Sequence, residues 1–335
     1  MDGLPDDLAP WLSARLPGRP RVTGARRFAT GQSNPTWRLE TEAGPFVLRA
    51  KPPGKLLPKA HMVEREFRVM SALAGSDVPV PEMILLAEEE NPLGRTFYVM
   101  AYLGGRIFFD PALPGVSDRG AIYDAMNAVL AALGSQDPVA LGLGDYGRAE
   151  GYFARQVAIW TKQYAGSVTD PDPDMLALGG WLAAQQVAEA PPALVHGDFR
   201  LDNMVFHPSE PRVIGVLDWE LSTLGHPVAD LAYQCMQWHL PHDSPLKGQA
   251  GLDRAALGLP DEASYVARYC DRRGLKGVEN WSAWLALSAY RLAAILAGVG
   301  ARAAAGNASN PETGRLYGAM VPRLVALGLS FRDRG

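Results

Sequence analysis

The stretch Leu194–Phe206, LVHGDFRLDNMVF, sets His196, Asp198, Arg200, Asp202 and Asn203 between two hydrophobic ends, ALV and MVF, that both read as short buried strands. Polar groups are costly in such a place unless something satisfies them. Fifteen residues beyond Asn203 a second apolar strand, VIGVL, ends in Asp218. Two carboxylates and an amide on neighbouring strand ends supply the hard oxygen donors that magnesium prefers. Phosphoryl transfer needs the same parts: Asp198 to accept or orient the proton of a substrate hydroxyl, and Asn203 and Asp218 to hold magnesium ions against the phosphates of ATP. A metal and a triphosphate would neutralise the cluster.

Composition sets the frame for that reading. The chain has 335 residues, 47% of them hydrophobic, enough for roughly two packed domains. A net charge of -4 and a pI near 5.9 disfavour nucleic acid or an anionic membrane as the main partner. Cys235 and Cys270 stand far apart in no metal-binding spacing, so they are expected to be reduced thiols of a cytoplasmic protein. The start, MDGLPDDLAPWL, is acidic and lacks the pattern of a secretory signal. Arg291 interrupts the most apolar run, WSAWLALSAYRLAAILAGVG, which is therefore expected to be a buried core helix with no membrane insertion. The histidines fit no common zinc motif.

Upstream of the central stretch, VTGARRFAT, TWRLETE and FVLRAK alternate with turn signals and predict an antiparallel meander. KAHMVEREFRVMSALAG predicts a helix with Val63, Phe67, Met70 and Ala74 on its buried face. MILLAEE and TFYVMAYL, separated by NPLG, predict a hairpin, and Gly104-Gly105 a hinge. Long helices follow, around 118–133, 151–165, 174–189, 228–239, 261–273, 280–303 and 311–328. The expected fold class is α+β: a small antiparallel-sheet lobe over residues 1–103 with one main helix, and a large, mostly helical lobe over 104–335.

HGDFRLDN at 196–203, with LDWELSTLGHPVADLAY at 217–233, resembles the aminoglycoside phosphotransferase family of the protein-kinase-like fold over nearly the whole chain. GQSNPTW, FVLRAKPPGKLLPKAHMVEREFRVMSAL and GHPVADLAY look closest to the subgroup similar to the kinase-like domain fused to acyl-CoA dehydrogenases ten and eleven of animals. The resemblance implies Asp198 as catalytic base, Asn203 and Asp218 as magnesium ligands, Asp230 as a brace of the catalytic loop and His196 as a keeper of its geometry. Arg200 and Asp202 are read either as loop ion-pair partners or, for Arg200, as a neighbour of the transferred phosphate. Glu220 either touches magnesium through water or faces solvent. In the small lobe, Ser33 and Asn34 fall where the family covers the nucleotide, though TGQSN is no Walker loop and Asn34 equally suits a turn. Arg49 stands in the register of the phosphate-clamping lysine, with Lys51 two residues on and on the same strand face. Arg49 paired with Glu66 is favoured over Lys51, and Glu64 competes with Glu66. Met100, Ala101 and Leu103 mark the strand expected to hold adenine through backbone groups.

From Lys276 onward three acids face seven bases, a balance that suits an anionic acceptor better than a polycationic aminoglycoside. Arg291 and Arg302 are the sharpest candidates for anion contacts there, against a simpler reading as snorkelling side chains. The expected function is an ATP- and magnesium-dependent kinase acting on a hydroxyl of a small molecule, with hydroxyacyl-CoA leading. An aminoglycoside or choline-type acceptor, or a non-catalytic nucleotide-binding pseudokinase, are the alternatives.

Overall fold

The turns between the first strands carry their own side-chain chemistry. The Thr41 hydroxyl accepts the Ala43 N–H and donates to the Gly44 carbonyl, with Gly44 at φ 110°, so the chain reverses where the sequence places Ala43-Gly44. Asn91 Oδ1 accepts from the Leu93 N–H at 2.8 Å and closes the NPLG turn. A computed structural model describes residues 2–28, 34–54, 61–88, 90–306 and 310–334.

Along the chain the elements are α1 (Leu8–Ser13), β1 (Val22–Arg27), β2 (Thr36–Thr41), β3 (Phe46–Ala50), α2 (Val63–Leu73), β4 (Met83–Ala87) and β5 (Phe97–Ala101). Then come α3 (Arg119–Ser135), α4 (Tyr152–Ala165), α5 (Pro173–Ala183), β6 (Ala193–Val195), β7 (Met204–Phe206), β8 (Val213–Val216) and β9 (Thr223–Gly225). The rest is helical: α6 (Ala229–Trp238), α7 (Arg254–Leu257), α8 (Glu262–Arg273), α9 (Trp281–Ala304), α10 (Pro311–Gly318) and α11 (Val321–Arg332).

The chain divides into two compact units, and the first is discontinuous: Met1–Ile107 together with Asn203–Ser222. Its antiparallel sheet has the order β1-β2-β3-β5-β4. Strand alternation sends Leu48, Phe97 and Val99 into one core with Leu8 and Leu12 of α1. It sends Arg49 and Tyr98, directly paired across β3 and β5, to the other face, where Tyr98 meets Glu66 of α2. The buried face of α2 is Val63, Glu66, Val69, Met70 and Leu73. Phe67 is half-buried and Ala74 exposed, so the expected face is rotated. Periodicity placed only apolar residues inward, whereas Glu66 occupies a core position because charged partners meet it there. The β7–β8 hairpin belongs to this unit by backbone bonds: Arg106 and Phe206 exchange both N–H···O contacts at 2.8 Å, and the Val216 N–H donates to the Pro79 carbonyl at 2.8 Å. A Cβ on Gly105 would collide with the Phe206 carbonyl and the Val205 side chain, so only glycine permits this approach. The expected boundary at residue 103 leaves the hairpin out of this unit.

The second unit, Phe108–Asp202 with Thr223–Gly335, is helical around α9, which packs against α4, α6, α10 and α11. Helix starts follow their caps: Asp118 accepts from the Ala121 N–H on α3, and Asp261 from the Ser264 N–H on α8. Tyr290 lies over Gly179 of α5, where a Cβ would be crowded by the ring. Helix α9 is long and apolar enough to cross a membrane, but 72% of its most apolar window is buried inside the protein. Three differences from the expected elements stand out. β9 pairs with β6, where no strand is expected. α5 stops at Ala183, and the single helix expected over 311–328 is two, because Pro322 has no N–H to continue the ladder and instead starts α11.

Candidate functional site

The first unit carries a network of side chains centred on Arg49. Its Nε lies 3.0 Å from Glu66 Oε2, and its Nη2 lies 2.5 Å from Asp218 Oδ1 and 3.9 Å from Glu220 Oε2. Asn34 is fully buried, donating to Glu66 Oε1 at 3.0 Å and to Glu220 Oε2 at 3.5 Å, while its own Oδ1 faces His61 Nδ1 at 3.0 Å. Tyr98 Oη donates to Glu66 Oε2 at 3.1 Å. Burial pushes the Glu66 carboxyl up to about 7, against the lowering pull of Arg49 and the tyrosine hydroxyl. Burial alone would lower Arg49, but the carboxylates of Glu66 and Asp218 outweigh it and raise the guanidinium above its ordinary value. Lys51 lies apart, pairing with Glu64 at 3.0 Å, both partly exposed. The two basic residues thus have separate acids.

Asn203 and Asp218 come to the same end of the β7–β8 hairpin. Met204 pairs with Val216, and one step outward the Leu217 N–H donates to the Asn203 carbonyl at 2.8 Å. Asp218 adopts φ 63°, ψ 59°, a left-handed conformation that aspartate tolerates better than most residues. Among the described residues no three His, Cys, Asp or Glu side chains form a metal-binding group. The oxygen donors of Asn203 and Asp218 are of the hard kind that suits magnesium, which takes one or two protein oxygens and completes its shell with phosphates and water. Of the strand expected to face adenine, Met100 is buried and the Ala101 N–H is taken by the Glu82 carbonyl at 2.8 Å. Leu103 lies past the sheet, its side chain against the bare backbone of Gly215. Ser33 lies outside the described residues.

The second unit holds the HGD turn, and here backbone groups are clamped by side chains. The buried Asp230 carboxylate accepts the His196 N–H at 2.7 Å and the Gly197 N–H at 2.9 Å. Burial raises the Asp230 carboxyl, and His196, the two N–H donors and Arg291 oppose the rise. The Asp198 N–H donates to His196 Nδ1 at 3.1 Å, so a neutral His196 carries its proton on Nε2. Arg200 bridges Asp198 and Asp202, 3.1 Å from each. Arg291 donates to the Gly197 carbonyl and lies near the rings of Trp160 and Tyr233, and Arg302 is exposed on the last turn of α9. Arg291, read from the sequence either as an anion contact or as a snorkelling side chain, meets the backbone of the turn.

Beside the turn, within the second unit, lies a cavity of about 250 Å³ whose walls include Arg200, Leu201, Asp202, Phe109, Trp238 and Lys247. Lys247 is held by Asp110 at 2.9 Å, which His242 also contacts at 2.9 Å. Sequence reasoning missed Tyr98 and His61. Tyr98 was within reach of it, because a tyrosine opposite Arg49 in an antiparallel register needs a buried acceptor. Nothing in the sequence marks His61.

An antiparallel sheet with one helix, and a helical unit carrying an HGD turn braced by a buried aspartate, together define the kinase-like fold of aminoglycoside phosphotransferases. The phosphotransferase enzyme family profile matches residues 24–266, and the chain belongs to this family. It is 44% identical to acyl-CoA dehydrogenase family member 10 of Mus musculus over 92% of its length, and 42% identical to family member 11 of Rattus norvegicus over 98%. It spans only 29% and 43% of those two proteins. A Ralstonia eutropha protein provisionally called an aminoglycoside phosphotransferase has 45% identity and a TM-score of 0.87, covering 97% of this chain and 96% of that one. A spectinomycin phosphotransferase solved with ADP and spectinomycin shares the fold at a TM-score of 0.62 and 11% identity, covering 99% of both chains.

Proposed function

We propose that the protein is an ATP- and magnesium-dependent kinase that phosphorylates a hydroxyl of a small anionic metabolite with an apolar part, hydroxyacyl-CoA being the leading candidate. The observation that carries the acceptor class is the lining of the cavity beside the HGD turn. Among the described residues its one acid is Asp202, paired with Arg200, its Lys247 is paired with Asp110, and aromatic side chains make up much of the rest. A polycationic aminoglycoside would find little to neutralise it there. The relatives named for acyl-CoA dehydrogenases and the basic C-terminal segment support the same class.

In this reading Asp198 accepts the proton of the acceptor hydroxyl as its oxygen bonds to the γ-phosphorus. The bond from that phosphorus to the β,γ-bridging oxygen breaks, and ADP leaves. Asn203 and Asp218 would hold magnesium, which when bound neutralises charge on the phosphates. Arg49, oriented by Glu66, would hold the phosphates from the sheet side, and Ala101 to Leu103 would edge the adenine. Asp230 and His196 keep the turn in shape. A binding-only reading draws on one observation, the Arg49 guanidinium on the Asp218 carboxylate, which takes an oxygen that a metal would need.

The deciding experiment measures ADP release from Mg-ATP with hydroxyacyl-CoAs, free hydroxy acids, aminoglycosides and choline, using Asp198→Asn as control. Turnover with hydroxyacyl-CoA that falls at least a thousandfold in the variant is expected. Turnover confined to aminoglycosides or choline overturns the acceptor class. Magnesium-dependent ATP binding with no turnover on any acceptor favours the binding-only reading.

A further inference from the structure

We propose that Arg291 is the positioning residue of the HGD turn, fixing the Gly197–Asp198 peptide and through it the direction of the Asp198 side chain. The inference rests on the reading of Asp198 as the base. Arg291 lies mid-way along α9, half-buried and flanked by the buried Ala289, Tyr290, Leu292 and Ala293, and its Nε is buried without a hydrogen-bond partner among the described residues, so its polar contact is made through Nη2. Its Nη2 donates to the Gly197 carbonyl, 2.5 Å away. The guanidinium carbon sits 5.3 Å from the Trp160 ring centre and 5.2 Å from that of Tyr233, so aromatic faces hold the charge in place.

The carbonyl it grips belongs to the peptide that begins Asp198. Because a peptide is planar, holding that oxygen also orients the Asp198 N–H, which is taken by His196 Nδ1 at 3.1 Å. The two preceding N–H groups are held by Asp230. Gly197 itself, at φ 85°, is the residue with the most freedom in the turn, and the clamp removes that freedom. A carboxylate from α6 on the donors and a guanidinium from α9 on the acceptor therefore hold one short loop by opposite charges. Arg291 does not line the cavity, although its neighbour Leu292 and the stacking Tyr233 do, which argues against a role as substrate anchor.

The test compares Arg291→Met and Arg291→Lys with Asp198→Asn in the full chain, following ADP release from Mg-ATP with water as acceptor, together with thermal unfolding. Arg291→Met is expected to lower kcat 10- to 100-fold with the KM for ATP within twofold, and millimolar guanidinium in the buffer should restore part of the loss. A kcat within threefold of wild type in Arg291→Met, with Asp198→Asn inactive, overturns the proposal. Full activity in Asp198→Asn is a separate failure, that of the base assignment. If the methionine variant does not fold, the lysine variant decides. One ammonium in place of a planar fork should cost threefold or more in kcat at unchanged ATP KM and unfolding temperature, and a kcat equal to wild type overturns the inference.

Discussion

In the first unit a guanidinium, Arg49, meets the carboxylates of Glu66 and Asp218, side chain against side chain. In the second, a carboxylate and a guanidinium, Asp230 and Arg291, each meet the backbone of the HGD turn. The chemistry is the same and the consequence differs. Side chains can trade one partner for another, so the Arg49 network can rearrange. Backbone held by the buried Asp230 and the half-buried Arg291 has no such exchange, and suits a frame that keeps one shape.

The sharpest way to break this comparison is Asp230→Ala. It orphans two buried N–H donors, each worth roughly 1–3 kcal/mol, so a stability loss of about 3–5 kcal/mol in urea unfolding is expected. A loss below about 1 kcal/mol would mean that the turn relaxes and is no frame. Next comes Arg49→Met, which strands the buried Glu66 and should cost about 2–4 kcal/mol and at least tenfold in ATP affinity. Adding Glu66→Gln should recover most of the stability and none of the affinity, measured by unfolding and calorimetry. Recovery of both would make Arg49 a structural residue.

A smaller effect comes from His226, just before α6, where burial lowers the imidazole to about 4 and Nδ1 accepts the Val228 N–H. A depressed folded pKa gives stability that is full above the unfolded value of 6.5 and is lost as pH falls toward 4. With the ring half-buried, about 1–2 kcal/mol after solvent screening should disappear over that window. Unfolding temperature against pH should therefore slope less in His226→Asn than in wild type. Smallest of all is Lys51→Met, whose pair with Glu64 is partly solvated: under about 0.5 kcal/mol and less than a twofold change in ATP affinity are expected. A tenfold loss of affinity there would move the phosphate clamp from Arg49 to Lys51.

Much of this arrangement was legible in the residues themselves. The order of strands and helices followed from period and turn chemistry, because Gly44, Asn91 and the prolines punctuate the chain where it turns. The polar residues of LVHGDFRLDNMVF marked a candidate site because apolar flanks make them costly. What stayed hidden depends on long-range partners. The Arg49–Glu66 pair was expected, but the rotation of α2 that buries Glu66 was not, because apolar periodicity gives a charged residue no inward position. β9 is three residues long, and only its pairing with β6 makes it a strand. Arg291 stood out as a charge in an apolar helix, but a backbone carbonyl 94 residues earlier leaves no trace in its local pattern. The break before α11 was different: Pro322 was in plain view, and apolar periodicity was followed past it.

The hairpin that completes the first unit has a consequence for the order of synthesis. The ribosome delivers the five-stranded sheet first, then the chain from Phe108 to Asp202, and only afterwards β7 and β8 with the turn around Asp218. Until residue 222 has emerged, Gly105 and Leu103 face no partner in that hairpin, and Arg49 waits without Asp218. The nascent sheet therefore carries Arg49 with Glu66 as its carboxylate partner but without Asp218, and an uncovered apolar edge, while roughly a hundred further residues are made, a window of seconds at ordinary translation rates. A gene cut after Ile107 would keep the sheet permanently without the hairpin that completes its unit.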